Sequence, residues 1–173
     1  MKNKVFIIAE AGVNHNNKIN LAYKLVDAAK KSGADAVKFQ VFKTENYVSK
    51  KAPLAKYQQK NSKNKTQFEM IKELELSEIN LKKIINYCKK KKIIFLASAF
   101  DLWGIDFLIK NNINIIKIPS GEINNFQYLK KVAMTKKKVI LSSGMSDINE
   151  VSKALKFLLS KGLKKKTNNH ITV

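Results

Sequence analysis

Apolar runs of five to seven residues recur along the chain, and between them apolar positions return every three or four residues. The runs Val5 to Glu10 (VFIIAE), Ala36 to Phe42, Ile93 to Ala97, Asn114 to Ile118 and Lys138 to Ser142 have the length of buried strands, and a last one begins near Ile171. The helical period predicts helices over about Ile19 to Ser32, Gln67 to Leu74, Ser77 to Lys90, Asp101 to Asn111, Phe126 to Thr135 and Ile148 to Lys161. Gly33 closes the first of these, and Ser77 and Asp101 stand where N-caps belong. From Lys43 to Lys65 the period is lost in a lysine-rich polar loop containing Pro53. Loops of that length are usually functional or mobile, so this one is a candidate lid, with Tyr57 and Gln58 as contacts, weighed equally against a solvated insertion.

Strand and helix alternate strictly, which in a chain of buried strands means a parallel sheet: an α/β fold, either doubly wound and open or a closed (β/α)8 barrel of the TIM type. Spacing leaves both open, and the faces of the strands favour the barrel, whose inward positions end in polar ligands at its mouth. Phe6, Ile8 and Glu10 share one face. Lys38 lies with Ala36 and Gln40, while Val37, Phe39 and Val41 form the apolar face that helices cover. Ile94, Leu96 and Ser98 align, as do Ile115 with Lys117 and Ile140 with Ser142. Each strand therefore delivers a polar or charged residue at or near its C-terminal end, the edge where parallel α/β folds bind ligands. The pattern reads as βα repeated five times and then cut, a barrel truncated after about five units.

Composition narrows the class. With 173 residues and 45% hydrophobic content the chain can bury one core, and no apolar run reaches the length of a membrane span or a signal sequence, so a cytoplasmic protein with no membrane partner is expected. The lone Cys88 has no disulfide or metal partner at a recognisable spacing and is read as packed. The net charge of +21 raises the alternative of a non-enzymatic, basic nucleic-acid-binding protein. Against it, all 34 basic residues are lysine, without the arginine fork used to read bases, and they are spread over helix faces and loop tips such as Lys89 to Lys92, Lys136 to Lys138 and Lys164 to Lys166. Solvated charge is the favoured reading.

The candidate chemistry centres on INIIKIPSGEINN, Ile113 to Asn125, where a strand carries Lys117 to its end and breaks at Pro119 into Ser120, Gly121 and Glu122. A lysine inside a buried strand costs several kcal/mol unless it meets an anion or a partner. Lys38 and Lys117, with the hydroxyls of Ser98, Ser120 and Ser142, form a set suited to phosphate or carboxylate: compact cations and donors that acceptor oxygens satisfy. Taken singly, a strand lysine is often a snorkelling edge residue and a serine after a strand a helix cap. Glu10, the one acid on the inner face, is open between a salt bridge to one of the lysines and a substrate contact. His15, in GVNHNN, is a ligand, a base or a turn residue, with the turn slightly preferred. His170 has no acid or second histidine at ligand spacing, so no metal site is assigned.

The segments IIAEAGVNHNN, GADAVKFQVFK, APLAKYQ, QFEMIKELELS, FLASAFD, IIKIPSGEINN and VILSSGM resemble those of the sialic acid synthase family, which includes synthases of N-acetylneuraminic, legionaminic and pseudaminic acids. The match runs from about Val5 to Met145 and continues weakly to Val173. The resemblance implies condensation of phosphoenolpyruvate with an N-acetylated amino-sugar, N-acetylmannosamine or a 2,4-diacetamido sugar, with C–O cleavage and release of phosphate. It also implies a divalent metal, manganese or magnesium, a homodimer, and a (β/α)8 barrel followed by an antifreeze-like domain. Lys38, Ser98, Lys117, Ser120 and Ser142 match the family's phosphoenolpyruvate-binding residues, and Glu10 matches the acid that contacts the sugar. Glu10, Lys38 and Lys117 are thereby the candidate catalytic residues. The FQ after Lys38 and the APLAKYQ segment look closer to the neuraminate and legionaminate synthases than to the pseudaminate ones.

Two departures are local: Asn17 stands where the family usually has glycine, and asparagine tolerates positive φ; Ala99 replaces a frequent proline and should loosen that strand end without removing Ser98. The larger one is the ending. The family's two metal-binding histidines, its last barrel strands and its antifreeze-like domain lie beyond the matched part, so residues 1–173 are read as the N-terminal portion of the synthase barrel. In the mechanism the resemblance implies, the metal polarises the sugar aldehyde, the enol carbon attacks it and the lysines neutralise the charge that develops. On its own the chain is expected to lack synthase activity.

Overall fold

A computed structural model describes residues 5–55, 66–163 and 171–173. The chain divides into two compact units, residues 1–95 and 96–173.

In the first unit, β1 (Ile8–Gly12) and β2 (Ala36–Val41) run parallel with Ile8 opposite Ala36, Ala9 opposite Val37 and Glu10 opposite Lys38, and an irregularity between Glu10 and Gly12 shifts the register. The helix α1 (Ile19–Lys31) joins them and buries Ala22, Val26 and Ala29. Val37, Phe39 and Val41 are essentially fully buried while Lys38 and Gln40, on the other face, are only partly covered. That is the alternation expected when helices cover one side of a parallel strand. Phe39 stacks on Phe95 with ring centroids 5.8 Å apart. β1 starts three residues later than the apolar run suggests. Val5, Phe6 and Ile7 are 74%, 46% and 53% exposed, because the ladder is closed off at Ile7, whose carbonyl accepts from the N–H groups of Asp35 and Ala36.

After β2 the chain is more ordered than its loss of period indicates. A short helix α2 (Thr44–Tyr47) comes first, Pro53 bridges Thr66 in an antiparallel contact, and the Gln67 N–H donates to the Ala52 carbonyl at 3.0 Å. Tyr57 and Gln58 lie outside the described residues. α3 (Gln67–Leu74) is opened by a capping box between Thr66 and Glu69, and α4 (Glu78–Lys91) by Ser77, which accepts from the Asn80 N–H. Three lysines in the last turn of α4 complement its negative end, and Cys88 packs into its buried stripe.

β3 (Ile94–Ala99) begins in the first unit and ends in the second. There it is followed by α5 (Leu102–Lys110), β4 (Ile115–Ile118), a 3-10 turn over Ser120–Glu122, α6 (Phe126–Met134), β5 (Lys138–Leu141), α7 (Ile148–Ser160) and β6 (Ile171–Thr172). Each strand pairs in parallel with the one before it: Ser98 stands opposite Lys117, Ile118 opposite Leu141 and Ile140 opposite Thr172. Asp101, Asn125 and Asp147 cap the three helices through backbone N–H groups, and Asp147 with Glu150 completes a second capping box. The five βα steps and sixth strand read from the sequence are present among the described residues, each boundary within two or three residues.

Candidate functional site

The first unit brings together two of the predicted site residues. Register places Glu10 beside Lys38 on adjacent strands, and the carboxylate and ammonium form an ion pair. The lysine side chain is 13% exposed and the glutamate 53%, so the cation is sunk and its counter-ion sits at the open end. Of the two readings the sequence left for Glu10, the structure shows the salt bridge. A Cβ on Gly12 would meet Glu10 Oε1 at 3.4 Å and Gln40 Nε2 at 3.9 Å, so the polar ends of Glu10 and Gln40 border the same space above the β1 terminus.

His15 follows in the turn. Its Nδ1 accepts from the Asn17 N–H at 3.0 Å, its carbonyl accepts from the Lys18 N–H, and Asn16 and Asn17 both take positive φ, 46° and 56°. The turn reading holds, and Asn17 adopts the backbone conformation for which a glycine would be the usual choice. The ring is also buried, stacked over Phe39 at 6.1 Å. With Nδ1 accepting, the proton sits on Nε2, which has no hydrogen-bond partner among the described residues. Burial holds the imidazole well below its ordinary range, at about 4, so it stays neutral at physiological pH.

The second unit arranges the other predicted residues. Ser98 is buried at the end of β3 and lies opposite Lys117 on β4, their side chains on one face of neighbouring strands about 5 Å apart. Ser120 opens the 3-10 turn after Pro119, held by hydrogen bonds from Glu122 N–H to Pro119 and from Ile123 N–H to Ser120. Ser142 follows β5, its N–H donating to the Ile118 carbonyl at 3.1 Å, which ties the end of β5 to the end of β4. Lys117, Ser120 and Ser142 are all partly exposed.

Two supporting residues escaped the sequence reading. Glu75, in the ELELS segment, sends its carboxylate to the Thr44 N–H (2.9 Å), the Thr44 hydroxyl (2.8 Å), Lys43 Nζ (3.0 Å) and Lys72 Nζ (3.0 Å), pinning the segment that leaves β2. Burial opposes the ionised form, but the Thr44 N–H, the two ammonium groups and the Thr44 hydroxyl overcome it and hold Glu75 at about 2. Tyr128 of α6 is fully buried and its hydroxyl donates to the Ala99 carbonyl at 2.8 Å, fixing the chain directly after Ser98. This bond supports the strand end that the missing proline was expected to loosen. The only sequence signal for either was a polar group inside an apolar stripe, which names no partner.

The NeuB family profile matches residues 25–173, and the chain belongs to that family. It is 49% identical over 163 residues to the N,N'-diacetyllegionaminic acid synthase of Campylobacter jejuni, covering 94% of this chain and 49% of that protein. It is likewise 49% identical over 151 residues to the synthase of the same name from Legionella pneumophila, covering 87% of this chain and 42% of that protein. Among solved structures, the N-acetylneuraminic acid synthetase of Leptospira borgpetersenii in complex with citrate superposes with a TM-score of 0.78 at 31% identity, over 93% of this chain and 52% of that one. The fold is thus α/β of the TIM-barrel type, as the strand faces suggested, and the chain spans about half the length of the curated relatives it matches. Among the described residues no helix is long and apolar enough to cross a membrane.

Proposed function

We propose that this chain carries the phosphoenolpyruvate-binding residues of a synthase that condenses phosphoenolpyruvate with an N-acetylated amino-sugar in sialic- or legionaminic-acid biosynthesis. The observation that carries the reading is the pairing of Ser98 with Lys117, continued by Ser120 and Ser142 at the ends of successive parallel strands. A lysine and three serines at the C-terminal ends of successive strands suit the phosphate and carboxylate of phosphoenolpyruvate. Identity with two legionaminic acid synthases favours a 2,4-diacetamido sugar over N-acetylmannosamine as the second substrate. The citrate bound to the Leptospira synthetase is itself a small polycarboxylate, which agrees in chemistry with an anion site.

In this reading Lys117 neutralises charge on the departing phosphate while Ser98, Ser120 and Ser142 orient its oxygens. Fixed donors of this kind in a water-poor site are commonly worth about 3 kcal/mol each to a transition state. The family resemblance assigns Lys38 to phosphoenolpyruvate and Glu10 to the sugar, and in the first unit the two are joined as an ion pair. Among the described residues no group of three or more His, Cys, Asp or Glu side chains is placed to hold a metal, so no step here runs through the divalent ion the resemblance implies.

The test is isothermal titration of phosphoenolpyruvate into the chain. Lys117→Met and Lys38→Met should each weaken binding by about 2–5 kcal/mol, whereas Glu10→Gln, which removes the competing carboxylate from Lys38, should strengthen it. Unchanged affinity in both lysine variants would remove the proposal. Phosphate release by a protein in which the remaining barrel strands are supplied, with the 2,4-diacetamido sugar and N-acetylmannosamine as alternative acceptors, decides the sugar.

A further inference from the structure

Gly144 follows Ser142 and Ser143 in the turn after β5, and the Ser146 N–H donates to the Ser143 carbonyl at 2.9 Å. As the second residue of that turn it takes φ of +54°, which primed turns require and glycine adopts without cost. That alone would explain a glycine. A second constraint is specific to this position: a Cβ on Gly144 would lie 2.5 Å from both Cβ and Oγ of Ser120, nearer than packed atoms ever come. Gly33 and Gly162 also have positive φ, +78° and +111°, yet a Cβ on either meets nothing within 4 Å. Those two serve the backbone, whereas Gly144 also serves a neighbour.

Ser120 has little freedom to yield. Its backbone is held by the 3-10 turn on one side, through the bonds to Pro119 and Ser120 carbonyls, and the strand before it is tied to the β5 end by the Ser142 N–H on the Ile118 carbonyl. Rotating the Ser120 hydroxyl cannot relieve a side chain on Gly144, because Ser120 Cβ is as close as Oγ; Ser120 itself must shift and the two strand ends part. We propose that Gly144 is a positioning residue for the anion site of the second unit: its bare backbone is what seats the Ser120 hydroxyl toward phosphate. The inference rests on the reading of Ser120 as a phosphoenolpyruvate contact. Hydrogen bonds to an oxyanion weaken steeply with misalignment, so a displacement of about 1 Å is enough to lose the contact.

The experiment compares the whole chain with Gly144→Ala, Ser120→Gly, the double variant, and Gly33→Ala as a control for backbone strain, by thermal unfolding and by titration with phosphoenolpyruvate and with inorganic phosphate. Gly144→Ala should lower the melting temperature and weaken phosphoenolpyruvate binding at least tenfold. Gly33→Ala should lower the melting temperature with affinity unchanged. Because Ser120→Gly removes the atoms that a Cβ would strike, the double variant should melt above Gly144→Ala while its affinity stays low. Melting shifts that simply add, or wild-type affinity in Gly144→Ala, would overturn the proposal. Should the wild-type chain bind neither ligand, the functional reading fails, and the non-additivity in melting still decides whether Gly144 seats Ser120.

Discussion

The two units hold their strand ends by different physical means. In the first, the groups that fix the C-terminal end of β2 and the turn after β1 are titratable: Glu10 with Lys38, Glu75 with Lys43, Lys72 and Thr44, and the neutral imidazole of His15 with the Asn17 N–H. In the second, beside the carboxylate caps of Asp101 and Asp147, the strand ends are fixed by neutral bonds and by close approach: Tyr128 on the Ala99 carbonyl, the Ser142 N–H on Ile118, and Gly144 against Ser120. The first arrangement is sensitive to protons and the second to side-chain volume. In the function proposed above, Lys38 exchanges Glu10 for a ligand, whereas the hydroxyls of the second unit are held in place before one binds.

The strongest way to break this contrast is Glu75→Ala, which removes the acceptor of four hydrogen bonds at once and should cost about 2–4 kcal/mol in urea unfolding. The pH dependence has a defined sign. Glu75 is held at about 2, below the 4.5 of the free side chain, so its contribution is present above 4.5 and is lost as pH falls toward 2. The variant should show a smaller limb over that range, since Asp27 and Glu45, also held below their ordinary values by Lys91 and Lys72, keep their share.

His15 adds a second, higher window. Its folded value of about 4 lies below the unfolded 6.5, so the unfolded chain takes up the proton first; the contribution is complete above 6.5 and disappears as pH falls to 4. His15→Asn, whose carbonyl can take the place of Nδ1 as acceptor for the Asn17 N–H, should abolish that limb and leave the one at lower pH. The limb should amount to about 2–3 kcal/mol in wild type, read from urea midpoints at pH 7 and pH 4. Equal pH profiles for wild type and variant would show that the buried imidazole does not set the acid limit.

Tyr128→Phe tests the packed region. Loss of the hydroxyl leaves the Ala99 carbonyl without its donor and should cost about 1–2 kcal/mol, the same at pH 5 and pH 8 and at low and high salt. A cost that varied with pH or salt would assign the second unit an electrostatic anchor after all. The smallest effect expected is a gain: Lys92 ends α4 with φ of +53°, where an L side chain is strained, and Lys92→Gly should stabilise by roughly 0.5–1 kcal/mol.

What the sequence determined by itself was periodicity and punctuation, and with them the fold class. The alternation of strand and helix periods located the strands and helices, and caps at Ser77 and Asp101 formed as their positions indicated, because local patterns act through the nearest backbone groups. The face analysis put Lys38, Ser98, Lys117 and Ser142 at the polar ends of their strands, since a period of two leaves no choice once one face is buried. The tertiary structure alone decided which groups meet. That Glu10 closes on Lys38 depends on the register of two parallel strands, and that Glu75 gathers Thr44, Lys43 and Lys72 depends on a return of the chain across some thirty positions. His15 read as a polar turn residue, yet its ring enters the core and stacks beside Phe39, a residue of another strand that the local sequence does not name. Gly144 is the clearest case: the sequence shows a glycine after two serines, and only the approach of one strand end to another shows that the space for its side chain is already filled by Ser120.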